Sequence, residues 1–326
     1  MKAILLDDFG DADVLRLADA PDPEIRPHDL LVRVHAAGVN RADISQRRGA
    51  YGRPDFGDSS LMGLEIAGEV IGLGAEVNSY RLGDRVMGIV GGGAYATIAR
   101  IDHRMALPVP PGLDYAQAAA IPEAFVTANE ALTHLAELQR GQIVLIHAAS
   151  GGIGTAAVQL AYHLGARILA TAHADKHGSL RTLGVEQCID YGTEDFVDII
   201  AQKTEGKGID AVIDFIGAPY LARNIRCLAE GGRLIQVGIM GGVADAALPL
   251  DLVLFRHLRI IGTVMKSRSP KVKQAMVSRF RNQWLDRFAD GSLRPIVGRV
   301  FPLAEAAAAH RLMESGGIFG KIVLAM

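Results

Sequence analysis

The sequence predicts an α/β protein of two domains, one mainly β and one built on a doubly wound parallel sheet of six strands. Three observations carry this expectation. The chain has 326 residues, more than a single hydrophobic core organises well, so two domains are expected. It is 49% hydrophobic with 37 glycines and only 6% aromatic residues, a mix that suits tight turns between buried strands and excludes a disordered chain. The texture also changes near Gly141: short apolar runs closed by turn residues give way to apolar strands alternating with helical periodicity.

In order along the chain, residues 30–36 form a short strand pattern, 63–72 a second rich in glycine, and 83–88 a third. Ile143-Val144-Leu145-Ile146 reads as a buried strand. The next helix places Ile153, Ala156, Ala157, Leu160, Ala161 and Leu164 on one face, and Gly165 stops it. Residues 168–171 form a second strand, and a short helix ends near Gly184. Cys188-Ile189 marks a third, minor strand, and 195–203 is helical. Strands four, five and six lie at 209–215, 233–237 and 258–262. Six strands joined by crossover helices make the doubly wound sheet. The tail carries helices around 274–288 and 303–314 and a last strand at 322–324.

The net charge of −2 provides no global field to attract nucleic acid or an anionic membrane. The two cysteines, Cys188 and Cys227, support neither a disulfide framework nor a four-ligand zinc site, and their apolar surroundings mark them as inert. Acids at Asp7 and Asp8 come too early for a signal peptide. No Asp, Glu, Lys or Arg lies between Arg140 and Arg167, but His147, Ser150, Gly151, Gly152 and Gly154 interrupt that stretch. It reads as strand–turn–helix rather than as a membrane span. The expected location is the cytoplasm.

The turn itself is Ala149-Ser150-Gly151-Gly152-Ile153-Gly154. Against the dinucleotide fingerprint G-x-G-x-x-G, the second and third glycines match at Gly151 and Gly154, while Ala149 holds the first position. The chemistry needs no side chain where backbone meets pyrophosphate, and a small residue where helix packs on strand. The helix N-terminus then offers N–H groups and partial positive charge to the phosphates. Cofactor choice is read at the end of the second strand, Thr171-Ala172-His173-Ala174-Asp175-Lys176. If Ala172 holds the position of the ribose-binding acid, nothing there repels a 2′-phosphate, and His173 and Lys176 are available to bind it. Asp175 is the competing acid, but it lies three residues beyond the apolar strand, where it suits a helix's first turn. NADPH is therefore expected over NADH.

Taken together, these residues resemble the zeta-crystallin-like, zinc-free quinone oxidoreductases of the medium-chain dehydrogenase/reductase superfamily. The resemblance spans essentially the whole chain. It rests on Asn40-Arg41-Ala42-Asp43, Gln46 and Gly49-Ala50-Tyr51, on residues 63–68, on Ala118-Ala119-Ala120-Ile121-Pro122, on the fingerprint turn, and on Gly320-Lys321-Ile322-Val323-Leu324. It implies a GroES-like catalytic domain of residues 1–121 and 265–326, a Rossmann NADPH-binding domain of 122–264, and a homodimer paired through the sixth strand. Zinc alcohol dehydrogenases of the superfamily hold their metal through Cys, His and a third ligand; Asn40, Leu64 and Glu123 stand there in this sequence. Glu123 alone, or with Glu65, is a poor zinc ligand set.

The resemblance further implies catalytic roles for Asn40 and Tyr51 beside the nicotinamide, each offering a hydrogen-bond donor to a developing oxyanion. It implies cofactor contacts at Thr127, Ser150, Gly151, Gly152, Ile153, Gly154, His173, Lys176, Tyr191, Gly238, Met240 and Lys321. For Lys321 a solvent-facing strand lysine is the competing reading, and for Tyr191 simple packing. His147, at a strand end beside the turn, reads as a half-buried histidine bonded to backbone. The expected reaction is hydride transfer from NADPH to a quinone-type electrophile without metal. The rivals are an enoyl or enone reductase on the same fold, and a non-catalytic structural or RNA-binding relative. The charge balance and the lack of an aromatic–basic stripe argue against RNA; the intact turn argues against a purely structural role.

Overall fold

In the computed structural model, which describes residues 1–50 and 59–326, two units form: Met1–Val126 with Met265–Met326, and Thr127–Val264. The first division falls inside one helix, α3 below, rather than after residue 121.

The first stretch opens with the antiparallel pair β1 (Lys2–Leu6) and β2 (Leu15–Asp19). The strands β3 (Asp29–Val39), β4 (Glu65–Leu73), β5 (Arg85–Ile89), β6 (Ile98–Asp102) and β7 (Ala106–Pro108) come next. Helix α1 (Arg41–Arg47) continues directly from β3; α2 (Tyr115–Ala119) and α3 (Pro122–Asn129) end the stretch. The strands 30–36, 63–72 and 83–88 expected from the sequence correspond to β3, β4 and β5. The hairpin, β6, β7 and the helices gave no pattern long enough to read.

In the second unit, β8 (Ile143–Ile146) leads into α4 (Gly152–His163). Then come β9 (Arg167–Ala172), α5 (His177–Thr182), β10 (Gln187–Asp190), α6 (Phe196–Lys203), β11 (Ile209–Asp214), α7 (Ala218–Cys227), β12 (Leu228–Gln236), α8 (Leu250–Phe255) and β13 (Arg259–Gly262). Among the described residues these make a six-stranded sheet in the order β10-β9-β8-β11-β12-β13, every pair parallel. This is the doubly wound order, which reverses direction between β8 and β11 and opens a ligand crevice at the carboxyl ends there. Leu145, Leu169, Val212 and Leu234 from four strands pack with Phe196, Ile200 and Ile225 from α6 and α7. Both cysteines are buried and free, and burial raises both thiol pKa values, that of Cys227 to about 12.

The chain then returns to the first unit through α9 (Pro270–Trp284), β14 (Val297–Pro302), α10 (Ala306–Ser315) and β15 (Lys321–Ala325). β15 pairs antiparallel with β3, with Ile322 opposite Val39 and Leu324 opposite Ala37. Among the described residues the sheet runs β14-β15-β3-β4-β5-β7, with β6 also on β3. Both chain ends therefore build one sheet, its core formed by Leu30, Val32, Ile66, Met87, Leu107 and Val323. β14 was not expected; its residues are mostly exposed, so it lacks the apolar run that marks a buried strand.

Candidate functional site

The glycine turn sits at the carboxyl end of β8. Gly151 is the N-cap of α4 and has no side-chain capping bond. The N–H groups of the helix's first turn, on Gly152, Ile153 and Gly154, therefore keep their donors and the positive end of the helix dipole. A Cβ on Gly151 would have only the Ala148 carbonyl oxygen within 4 Å, at 3.4 Å, among the described non-neighbouring atoms. A Cβ on Gly154 would overlap that same oxygen and come within 2.6 Å of the Ala149 Cα. One glycine thus keeps an approach open, and the other lets helix and turn close up. Donors without side chains are what a pyrophosphate requires, so these residues fit a bound dinucleotide.

At the outer end of the sheet, β9 runs through to Ala172, which is buried. No carboxylate occupies the strand's last position. Asp175 lies beyond it in a 3-10 turn, Ala174–Lys176, with its carboxylate 2.8 Å from the Lys176 ammonium. That bond holds Asp175 below the usual carboxylate range. The His173 ring lies 4.5 Å from the Tyr191 ring, and Tyr191 is 43% exposed. His173, Lys176 and Tyr191 therefore gather at one corner. Gly238 and Met240 lie past β12; their N–H groups donate to Asp214 O at 3.2 Å and Phe215 O at 3.0 Å. Thr127 lies on α3 and Ser150 in the turn, both half-buried.

In the first unit, strand register builds a buried polar cluster. β3 ends at Val39 with Asn40 next; β15 brings Lys321 beside it, and β4 brings Glu65 beside Gly38. A Cβ on Gly38 would overlap the Glu65 carboxylate, so glycine is what allows Glu65 to sit there. The Lys321 ammonium donates to Glu65 Oε1, to Asn40 Oδ1 at 2.7 Å and to Val39 O at 3.1 Å. Asn40 Nδ2 donates to Glu65 Oε1 at 3.0 Å and to Gly38 O at 3.4 Å. The Glu123 N–H donates to Glu65 Oε2 at 2.8 Å. Burial, then the charge of Glu65, raises the Glu123 carboxyl to about 8.

The cluster continues through Asp43, whose Oδ2 accepts from the Asn40 N–H at 2.8 Å and the Tyr95 hydroxyl at 3.0 Å. The hydroxyl also lies 3.1 Å from His310 Nε2. Burial lifts the Asp43 carboxyl to about 7 and depresses His310 to about 4. Because the hydroxyl proton goes to Asp43, the neutral His310 ring needs its proton on Nε2 to complete the contact.

These geometries correct several expectations. Lys321 does not face solvent: it is 4% exposed, and its three ammonium protons meet three protein acceptors. Asn40 brings its amide donors to Glu65 and Gly38 O rather than leaving them pointing outward. His147 is wholly buried, and its ring bonds to the side chains of Thr171 and Asn224, not to backbone. Tyr51 lies outside the described residues. Asp43, Tyr95 and His310 were missed because they are far apart in sequence; the Asn-x-x-Asp spacing of a helix start at Asn40 and Asp43 was the available local signal. Among the described residues, no group of three or more His, Cys, Asp or Glu side chains is placed to hold a metal ion, and no helix is long and apolar enough to cross a membrane.

Comparison with known proteins agrees with this fold. Residues 26–111 match the family model "Alcohol dehydrogenase GroES-like domain", and 183–324 match "Zinc-binding dehydrogenase". The quinone oxidoreductase of Rattus norvegicus is 32% identical, over 99% of this chain and 97% of its own. The spectinabilin polyketide synthase system protein NorB of Streptomyces orinoci is 35% identical over 97% of this chain, which spans 14% of that protein's length. Among solved structures, mycobacterial Rv1454c complexed with NADPH superposes with a TM-score of 0.90 at 27% identity, covering all of both chains. The CurK enoyl reductase gives 0.89 at 27%, covering 100% and 99%. An NAD-dependent alcohol dehydrogenase gives 0.89 at 32%, covering all of both. The chain belongs to the quinone oxidoreductase family of the medium-chain dehydrogenase/reductase superfamily and is an NAD(P)-dependent oxidoreductase.

Proposed function

We propose that the protein delivers hydride from NADPH to a small electron-poor acceptor of the quinone type, without a catalytic metal. The carrying observation is the Lys321 ammonium. A cation of the chain's own already sits where Glu65 and Asn40 converge, so the acid is neutralised by protein and the amide is fixed by it. The glycine turn binds the pyrophosphate, and the corner of His173, Lys176 and Tyr191 receives the 2′-phosphate. Ala172, in place of an acid at the end of β9, favours NADPH. When bound, NADPH supplies the hydride. Tyr51 orients the acceptor and offers the donor for charge developing on its oxygen, while Asn40, its amide held in one rotamer by Lys321, Glu65 and Gly38 O, is a fixed support beside the acceptor rather than a donor to it.

The second reading is reduction of an activated C=C in an enone or enoyl thioester. It draws support from the likeness to the polyketide synthase protein NorB and to the CurK enoyl reductase. NADPH oxidation against matched panels of 1,4-quinones and enoyl thioesters separates the two. Quinone turnover at least tenfold above enoyl turnover supports the first; the reverse ratio replaces it with the second.

A further inference from the structure

A chain of buried hydrogen bonds crosses the second unit behind the glycine turn. The His147 ring lies between Thr171 Oγ1, 2.9 Å from Nδ1, and Asn224 Oδ1, 2.8 Å from Nε2. Asn224 Nδ2 donates to Asp214 Oδ2 at 3.1 Å. With its amide group committed to Asp214, Asn224 offers His147 only a carbonyl oxygen. His147 must therefore carry its proton on Nε2 and accept at Nδ1, so the Thr171 hydroxyl donates to it. The direction is uniform: Thr171 to His147, His147 to Asn224, Asn224 to Asp214. All four residues are at most 1% exposed.

The chain ends on a residue that organises two turns. Asp214 is the last residue of β11, and Oδ1 accepts from the Ile216 N–H at 2.6 Å. The Gly217 N–H lies 3.3 Å from Oδ2. The Asp214 backbone oxygen accepts from Val237 N–H at 2.8 Å and Gly238 N–H at 3.2 Å. The two turns are then laced together: Met240 N–H to Phe215 O, Gly241 N–H to Ile216 O, and Ala218 N–H to Gly242 O. Gly217, at φ 94°, lies so close that a Cβ there would stand 2.7 Å from Gly242 O. Both turns lie at the carboxyl ends of β11 and β12, the edge of a doubly wound sheet where ligands bind.

We infer that Asp214 is a positioning residue for cofactor binding: held by the Thr171–His147–Asn224 relay, it fixes the turns carrying Gly238 and Met240. The inference rests on the reading of those turns as cofactor-binding. The relay fits a positioning role and not proton transfer. Burial holds His147 at about 4, so it stays neutral and directional at working pH. A rigid acceptor lowers the ordering cost of two loops each time cofactor binds.

The test measures NADPH and NADH dissociation constants by fluorescence titration, with kcat at saturating cofactor, for wild type, Asp214→Asn, Thr171→Val and Thr171→Ser. Asp214→Asn presents an amide to donors that need an acceptor; both dissociation constants should rise about tenfold, with kcat within twofold. Thr171→Val should give about a threefold rise, and Thr171→Ser, which keeps the hydroxyl, should restore wild-type affinity. If Asp214→Asn does not fold, the Thr171 pair decides. Unchanged affinity in folded Asp214→Asn, equal effects of Val and Ser, or a loss confined to kcat overturns the inference. Failure of wild type to bind either cofactor would instead overturn the reading of the turns.

Discussion

The ammonium of Lys321, first residue of the last strand, donates to the carboxylate of Glu65, first residue of β4, with both side chains at most 4% exposed. The pair joins the two ends of the chain in one sheet and holds Asn40 between them. An ion pair this deep is costly to halve, because the remaining charge has neither water nor partner. Lys321→Met should lower unfolding stability by about 3–5 kcal/mol. The double change Lys321→Met with Glu65→Gln should recover much of the loss, since the glutamine oxygen still accepts from the Glu123 N–H and its NH2 can donate to the Asn40 oxygen that Lys321 has left, once that amide turns over. Urea unfolding checks both; a single-variant loss below ~1 kcal/mol, the surface-pair range, contradicts the account.

Asp43 gives a pH signature. Its folded carboxyl titrates near 7 because it is buried, against an ordinary value of 3.8. Between these values the folded protein holds a proton that the unfolded chain has released, so this group's contribution to stability falls as pH rises from about 4 to 7 and is flat above. The neighbouring Lys321, Glu65, Tyr95 and His310 remain in Asp43→Asn. The stability difference between wild type and Asp43→Asn, tracked by thermal melts from pH 4 to 8, should therefore change in wild type's disfavour over that window. A difference independent of pH contradicts the assignment.

Cofactor choice turns on the Lys176–Asp175 pair. Lys176→Ala removes a cation and leaves the Asp175 carboxylate facing the corner, so NADPH binding should weaken roughly tenfold, about one charge-assisted hydrogen bond, while NADH changes little. Ala172→Asp should shift preference toward NADH by placing ribose acceptors where the phosphate would sit. Titration of both cofactors reads the outcome. Equal weakening of both by Lys176→Ala would return Asp175 to the role of ribose-binding acid.

A homodimer is proposed from the sheet edge. β13 is an outer strand pairing only with β12 among the described residues, and Ile260 on it is 41% exposed. Leu250, Leu254 and Phe255 of α8, just before it, are each at least 66% exposed. An uncovered apolar edge invites a second strand, and a second copy supplies one of the same length. Light scattering at micromolar concentration should give twice the 326-residue mass, and Ile260→Lys should give the monomer. A monomeric wild type contradicts the proposal.

The nucleotide-binding half was legible because its signals are local. The run 143–154 holds a strand, a glycine turn and a helix start in continuous sequence, and the apolar periodicity from Ile153 to Leu164 fixes the rest of that helix. The six strands appeared in order, five of them with edges displaced by at most a residue; β12 begins at Leu228, five residues before the expected start at 233. Asn40 and Lys321 were legible as motif residues, but their partners were not. Glu65 is buried by a register that no single segment encodes, and Asp43, Tyr95 and His310 meet only after three separate elements pack. His147 shows the same limit: its sequence neighbourhood suggests a strand-end histidine, while Asn224, 77 residues away, decides its tautomer.

Hydride transfer from NADPH to an electron-poor acceptor by the chain's own residues is the reaction proposed for this protein. Its most direct test is the initial rate of NADPH oxidation with a 1,4-quinone after exhaustive chelation, with zinc content measured on the same sample. Metal-free transfer predicts less than stoichiometric zinc, an undiminished rate, and a rate with NADPH above that with NADH at equal subsaturating concentration. Loss of the rate on chelation with recovery on adding Zn²⁺, or no oxidation of either cofactor with any quinone or enone offered, would contradict it.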